Sequence, residues 1–365
     1  MIGRIMAVMA KEFRHILRDP RSLAIILLMP ILMTFLYGYA INLDIRNIPL
    51  GVVDYDRSPA SRLLIEAFPA SGQFVIAQRY PDAAAAQAGM ERRVTVITVI
   101  IPAGFAEAEP IRVPPVQLVV DGSDANTAWI GLGYARGILA EHQIARLDVI
   151  PPVTLEPRFW YNPGQISSHF VVPGLIAVIL MMAAAMLTSV TVTREKETGT
   201  LEQLLVSPVR SGELIIGKAL PYGLLGLLDG AFILLFGALV FGVPIRGSLW
   251  VLFGFTGLYV LAALSIGLLI STIVDRQQVA MLAALLATVL PSFMLSNFIF
   301  PLRSMPEVLQ LVSHIVPARY YIPIVRGVLL KGLGPEVLWE QGVYLVGFAA
   351  LFTTACVIRF KPRLD

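Results

Sequence analysis

Charge is what this sequence has least of. Only 15% of its 365 residues are Asp, Glu, Lys or Arg, while 56% are hydrophobic. A soluble domain averages about 25% charged. The deficit excludes a disordered chain or a nucleic-acid coat, and it argues against an ordinary cytosolic enzyme. Cysteine is nearly missing as well. Cys356 is alone and lies in an apolar run, so there is no disulfide framework and no record of redox compartment. The four histidines, His15, His142, His169 and His314, are scattered without metal-ligand spacing. No Ser/His/Asp or His-Glu-x-x-His constellation supports a hydrolase.

What is present is segregated. Six stretches are long and apolar enough for membrane helices, which need about 20 residues. They run Ser22–Ile41, His169–Val192, Gly217–Phe241, Leu249–Ile273, Val279–Phe300 and Trp339–Ile358. Leu23–Ala40 is longer than a signal-peptide core and no small-residue cleavage site follows it, so it reads as an uncleaved anchor. Pro30 at its middle predicts a kink. Leu43–Gln165 has soluble composition, with 13 acids and 10 bases. The predicted fold is therefore an α-helical polytopic membrane protein with six transmembrane helices and an inserted α/β extracytoplasmic domain.

Basic residues in short loops set the orientation. One side collects Arg4, Lys11, Arg14, Arg18, Arg21, Arg194, Lys196, Arg210, Lys218, Arg276, Arg359, Lys361 and Arg363. The other holds Arg246, Arg303, Arg319, Arg326 and Lys331. Both termini are placed in the cytoplasm and residues 43–168 outside, in a multi-pass protein of the inner membrane. The net charge of +3 needs no nucleic-acid partner. The predicted layout is a cytoplasmic helix over 1–19, a first span over 20–42, the outer domain, spans two to six over 169–358, and a tail over 359–365.

In the outer segment, Ile48–Asp54, Phe74–Ala77, Val94–Ile101 and Val116–Asp121 read as strands. Helices follow Ser58-Pro59 and Asp82, a short one covers Phe105–Glu109, and a long one covers Asn126–Arg146. Asp54, Asp56, Asp121 and Asp124 stand near strand ends. They suit turn and cap chemistry better than a metal or acid/base site, since no third fixed ligand joins them.

Met1–Leu17 reads as an amphipathic helix. Ile5, Met9, Phe13 and Ile16 share one face, while Arg4, Lys11, Arg14 and Arg18 are basic elsewhere. It is either an interfacial helix or the start of the first span, and Asp19-Pro20 favours a break between the two. Residues 193–216 form a charged loop. Between Arg194 and Lys218 lie four bases and four acids. Thr200–Leu205 forms a short amphipathic helix before Pro208, with Leu201, Leu204 and Leu205 on one side, a docking element for a cytoplasmic partner. Gly212-x-x-x-x-Gly217-Lys218-Ala219 imitates a phosphate loop but ends in Ala219 where the magnesium-binding hydroxyl belongs. No ATP site is expected here.

Four polar residues are candidates for a translocation path or a subunit seam: Asp229, Asn297, Arg319 and Arg326. Asp229 lies within the third span, where a bare charge costs about 2.5–3.5 kcal/mol. It reads equally as a path residue or as a neutral or paired structural carboxyl. Pro301–Gly334 is too polar for a full span and reads as two short re-entrant helices. Arg319 and Arg326 either face a vestibule there or snorkel and pair structurally, the second being favoured.

These residues carry a resemblance. Arg194-Glu195-Lys196-Glu197-Thr198-Gly199-Thr200-Leu201-Glu202-Gln203-Leu204-Leu205-Val206-Ser207-Pro208, with Glu213-Leu214-Ile215-Ile216-Gly217-Lys218, is similar to the cytoplasmic loop of type-2 (type V) ABC exporter permeases. Asp121-Gly122-Ser123-Asp124-Ala125-Asn126-Thr127-Ala128 resembles an element of the subgroup with a large outer domain. Pro317-Ala318-Arg319-Tyr320-Tyr321 resembles the outer loop before the last span. The resemblance implies a non-enzymatic half-transporter paired with a second permease, with ATP and Mg held by separate ATPase subunits. It implies that Glu195, Glu197, Thr200, Leu201, Glu202, Gln203, Leu204 and Leu205 couple to the ATPase, and that Ile5, Met9, Phe13 and Arg14 belong to an interfacial connecting helix. A periplasmic adaptor, an outer-membrane channel and drug-like or other amphipathic substrates are further implications. A membrane-anchored sensor and an ion-coupled transporter stand as alternatives, although no convincing internal repeat supports the latter.

Overall fold

The computed structural model describes residues 2–18, 20–41, 45–107, 116–147, 158, 160–199 and 211–359. The chain divides into two compact units, Met1–Asn42 with Phe159–Asp365, and Leu43–Arg158.

The larger unit is helical. It opens with α1 (Ile2–Leu17) and α2 (Pro20–Ala40). Proline tolerates a first helical turn, where its missing N–H has no partner to lose. Pro20 therefore ends one helix and begins the next. At 1.5 Å per residue the 21 residues of α2 span about 31 Å, a bilayer core. The helix continues through Pro30, where Thr34 Oγ1 donates to the Pro30 carbonyl at 2.7 Å.

The smaller unit supplies the next elements in chain order: β1 (Ile48–Asp54), α3 (Pro59–Ala70), β2 (Phe74–Tyr80), α4 (Ala83–Glu91), β3 (Ile97–Ile101), β4 (Gln117–Val120) and α5 (Ala125–Leu147). The sheet order is β2-β1-β3-β4, parallel except for β4 against β3. Central parallel strands are covered on both faces, which is why β1 and β3 are nearly uninterrupted apolar runs. Leu50, Ile65, Phe68, Phe74 and Ile97 form the core between them. Ser58 caps α3 by accepting from the Ser61 amide at 3.0 Å, and Asp82 caps α4 from the Ala85 amide at 2.7 Å. Two sequence expectations need correction. The third strand starts at Ile97, not Val94, because Arg93 turns left-handed (φ 58°) and the Val94 amide still closes α4 on the Gly89 carbonyl. Residues 105–107 form a turn where a helix was predicted, and Glu109 lies outside the described residues.

The membrane helices continue with α6 (Ser167–Glu197), α7 (Ser211–Phe241), α8 (Leu249–Ile273), α9 (Gln277–Met294) and α12 (Pro335–Arg359). These five are long and apolar enough to cross a bilayer. Between α9 and α12 lie α10 (Glu307–Ser313) and α11 (Ala318–Arg326), the latter continued by a wider turn over Gly327–Lys331. The pair bends by 79°. The α6 helix is the hub, buried along most of its length from Val171 to Thr193. Gly267 of α8 lets it approach, since a Cβ there would collide with the Ala185 carbonyl and Thr188.

The fifth span is shorter than its hydropathy predicts. It stops at Met294 rather than Phe300. Asn297 adopts a left-handed backbone (φ 63°), a conformation Asn tolerates better than most residues. The chain thereby turns Phe298 inward, to 1% exposure. Past Met294 the apolar run is a turn that buries Phe298 and leaves Ile299 and Phe300 exposed, not more helix.

Candidate functional site

The charged loop and α1 meet in a buried ion cluster. Lys218, in the second turn of α7, is only 3% exposed at its side chain. Its ammonium donates to Glu12 Oε1 of α1 at 3.3 Å, to Glu195 Oε1 of α6 at 2.8 Å and to the Thr191 carbonyl at 3.3 Å. An ammonium has three N–H donors, and here all three find acceptors. Lys11 Nζ adds a second cation on Glu195 Oε1 at 3.2 Å. Two lysines therefore balance two glutamates, which is the condition for keeping such charges out of water.

The α7 end of the charged motif faces α1. Arg4 pairs with Glu213 at 3.6 Å. A Cβ on Gly217 would stand 2.8 Å from Val8, so this position needs glycine for α1 to lie against α7. Lys218 then reaches across to Glu12. The apparent phosphate-loop ending is a helix-packing motif inside α7, and its glycine sits within a helix rather than in an anion cradle.

The lower end of α6 is held on its other side too. Lys196 Nζ donates to the carbonyls of Thr272 and Val274 at 2.9 and 3.2 Å and pairs with Asp275 at 3.1 Å. Glu197 accepts from the Gln277 amide at 2.7 Å and from the Gln277 side chain. It serves as a cap for α9, whose own preceding residue, Arg276, makes no side-chain cap. Ser271 Oγ of α8 accepts from the amides of Val192 and Thr193, both at 2.9 Å.

Of the residues expected to couple, Glu195 and Glu197 thus sit in this platform. Thr200, Leu201, Glu202, Gln203, Leu204 and Leu205 lie outside the described residues. Ile5, Met9 and Phe13 are half-buried, Ile16 is buried and Arg14 is exposed. The predicted apolar face is therefore turned largely to protein, and the apolar side chains left open on α1 are Ile2, Met6 and Leu17. Glu12 was missed in the sequence. Its signal was available: it is the lone acid of a basic helix, one turn before Ile16 on the apolar side.

The four intramembrane candidates do not form one site. Asp229 is 1% exposed, and neither carboxylate oxygen has a hydrogen-bond partner among the described residues. Asn297 and Arg326 do meet. Arg326 donates to the carbonyls of Asn297, Phe170 and Phe298 at 3.0, 3.2 and 3.2 Å, and its guanidinium lies 3.6 Å over the Phe170 ring. Arg319 donates to the Gln310 carbonyl at 3.0 Å and to Ser313 Oγ, joining α11 to α10 across their bend. Both arginines tie neighbouring segments together through these bonds.

The bent pair is also tied to the hub. Tyr321 of α11 stacks on Tyr259 of α8, 4.0 Å between centroids, and shares a 2.7 Å hydrogen bond with Thr256. Tyr259 in turn donates to the Ala177 carbonyl of α6 at 2.8 Å. The carboxylates of the smaller unit do turn chemistry. Asp54 accepts from the amides of Asp56 and Arg57, and Asp121 from that of Ser123. The Ser123 contacts hold the exposed Asp121 carboxyl below the usual aspartate range.

A helix bundle with a charge-clamped platform and a tied, bent helix pair before its last span is the build of a membrane transport subunit. Residues 20–358 match the family described as ABC-2 family transporter protein, and the chain belongs to that family. It is 38% identical to a protein of Escherichia coli strain K12 named probable multidrug ABC transporter permease YbhS, over 99% of this chain and 98% of that one. Identity to the same organism's probable multidrug ABC transporter permease YbhR is 29% over the full length of both. Its inner membrane transport permease YhhJ is 28% identical over 97% of this chain and 96% of that protein. The chain is accordingly the permease subunit of an ABC exporter, not an enzyme, and the ATPase of such systems is a separate subunit. With that, the sensor and ion-coupled readings fall away.

Proposed function

We propose that the chain pairs with a second permease and two cytoplasmic ATPase subunits in the inner membrane to export drugs or other amphipathic molecules. The names of its relatives support the substrate class. Residues 43–168 are read as extracytoplasmic, docking a periplasmic adaptor that leads to an outer-membrane channel. Both termini are read as cytoplasmic, by the excess of Lys and Arg on their side. Exposed Trp160, Trp250 and Trp339 stand near the starts of α6, α8 and α12, as an aromatic belt at the outer interface requires.

The observation that carries the coupling mechanism is the Lys218–Glu12–Glu195 cluster. The segment 200–205 belongs to the connection between α6, which ends two residues past Glu195, and α7, which starts seven residues before Lys218. A push on that segment is therefore delivered to α6, α7 and α1 together. ATP and Mg bind on the partner, and nucleotide acts through differential contacts with the two states of the permease. Glu202→Lys, or a proline at Leu204, is expected to leave membrane insertion intact while ATP hydrolysis by the reconstituted complex loses its link to transport. Unchanged transport per ATP hydrolysed would refute the docking role.

Asp229 is read as a functional carboxyl on the permease interior. Its burial without a partner brings no stability. Asp229→Leu is therefore expected to leave the thermal midpoint unchanged or raised, and to lower transport per folded protein. Equal transport would return Asp229 to a structural role.

A further inference from the structure

An apolar groove of about 270 Å³ runs along α7, α8 and α12 on the outside of the bundle. Ile216, Leu220 and Leu224 form one wall, and Gly257 and Leu261 form the other. Ile216, Leu220, Leu224 and Leu261 are 40–53% exposed, so the groove opens outward to the lipid. Along α7 it extends from Ile215 to Leu227, about 18 Å at helical rise. Its polar atoms are already satisfied, since Ser265 Oγ and Thr353 Oγ1 bond each other at 2.8 Å. It therefore offers a polar solute nothing to orient on, whereas binding pockets for such solutes carry free polar groups.

The head of the groove is different. Glu213, Ile216, Leu220 and Leu224 follow one another at spacings of three and four, so they form one stripe on α7. Glu213 ends that stripe in its pair with Arg4, whose side chain is still 48% exposed. Gly217 brings Val8 of α1 against the same end of α7. Exposed Lys11, Arg14 and Arg18 make the rest of α1 strongly basic. Basic sites beside membrane helices on the cytoplasmic side attract anionic headgroups.

We propose that this groove holds one acyl chain of an anionic phospholipid of the cytoplasmic leaflet, with the lipid phosphate at Arg4. The site joins an apolar trough about 18 Å long to a half-exposed arginine on a basic helix. It rests on the reading that α1 lies at the cytoplasmic membrane surface.

The test is native mass spectrometry of the intact transporter purified from membranes, delipidated and titrated with phosphatidylglycerol or with phosphatidylcholine of the same chains. The wild type is expected to retain one more phosphatidylglycerol per permease than phosphatidylcholine. Arg4→Gln should weaken that preference about fivefold, the effect of one basic residue near a charged surface. Gly257→Phe should remove the retained lipid, and a Cβ at Gly257 meets nothing within 4 Å, so the ring has room. Leu261→Trp, on an exposed position, should do the same, and an unchanged thermal midpoint checks that each variant is folded. Equal retention of the two lipids, an undiminished lipid count in both filled variants, or an undiminished preference in Arg4→Gln would overturn the proposal. The count is read without substrate or ATP, so it stands apart from whether the chain exports drugs. Labelling a cysteine placed at Ile2 with an impermeant thiol reagent reads the side of α1 separately.

Discussion

Lys218→Met is expected to destabilise the permease by about 3–5 kcal/mol, because it leaves Glu12 and Glu195 buried without their shared cation. Lys11 still touches Glu195, but its side chain is 58% exposed and reaches only that one carboxylate. Glu12 keeps no cation among the ion pairs of the described residues. The thermal midpoint of the solubilised protein is the measurement, and it should fall sharply. The triple variant Lys218→Met with Glu12→Gln and Glu195→Gln separates stability from function. Replacing a buried ionic group as a whole by neutral residues is often neutral or stabilising. The triple variant should therefore regain most of the lost midpoint. It should not regain the link between ATP hydrolysis and transport, because the charged tie between α1, α6 and α7 is gone. Recovery of that link in the neutral variant would reduce the cluster to scaffolding.

The second large effect is expected at Gly174 of α6. A Cβ there would run into the Phe298 ring and stand 3.3 Å from the Arg326 guanidinium. Phe298 is fully enclosed and sits on the turn that Asn297 makes after α9. Gly174→Ala therefore strikes the junction where α6, the end of α9 and the bent pair meet. Overpacking of this kind costs about 1–3 kcal/mol. Phe298→Ala alone should cost about 3–5 kcal/mol for the lost ring. The double variant is expected to be no less stable than Phe298→Ala, since the new methyl then occupies the vacated space. A double-mutant cycle on thermal midpoints reads the coupling. Strict additivity would mean that the two sites do not touch.

The larger elements were legible because a bilayer imposes one simple requirement. A backbone that cannot bond to water must close its hydrogen bonds within a helix, so length and apolarity suffice to find it. The α8 helix matches its predicted limits, Leu249–Ile273, at both ends. Ser58-Pro59 and Asp82 were readable for a similarly local reason, since a cap acts within three residues. Val279–Phe300 failed where hydropathy carries no geometry. Apolar residues serve a helix up to Met294 and then a turn, and the left-handed Asn297 marks the change.

The candidate site divides along the same line. The motif from Arg194 to Lys218 was visible as a run of balanced charges, and the excess of basic residues could be counted from the chain alone. Its partners could not. Glu12 and Lys218 are 206 positions apart, and Arg326 and Phe170 are 156 apart. Periodicity places a side chain on a face but does not say which helix covers that face. The partners of Arg326, three carbonyls and one ring, come from α6 and the turn after α9. The sequence by itself determined a helical membrane subunit and the order of its elements, because those follow from local hydrophobicity and charge. Tertiary structure alone decided which charges neutralise one another, because a buried ion is stable only where distant helices bring its counterion within reach.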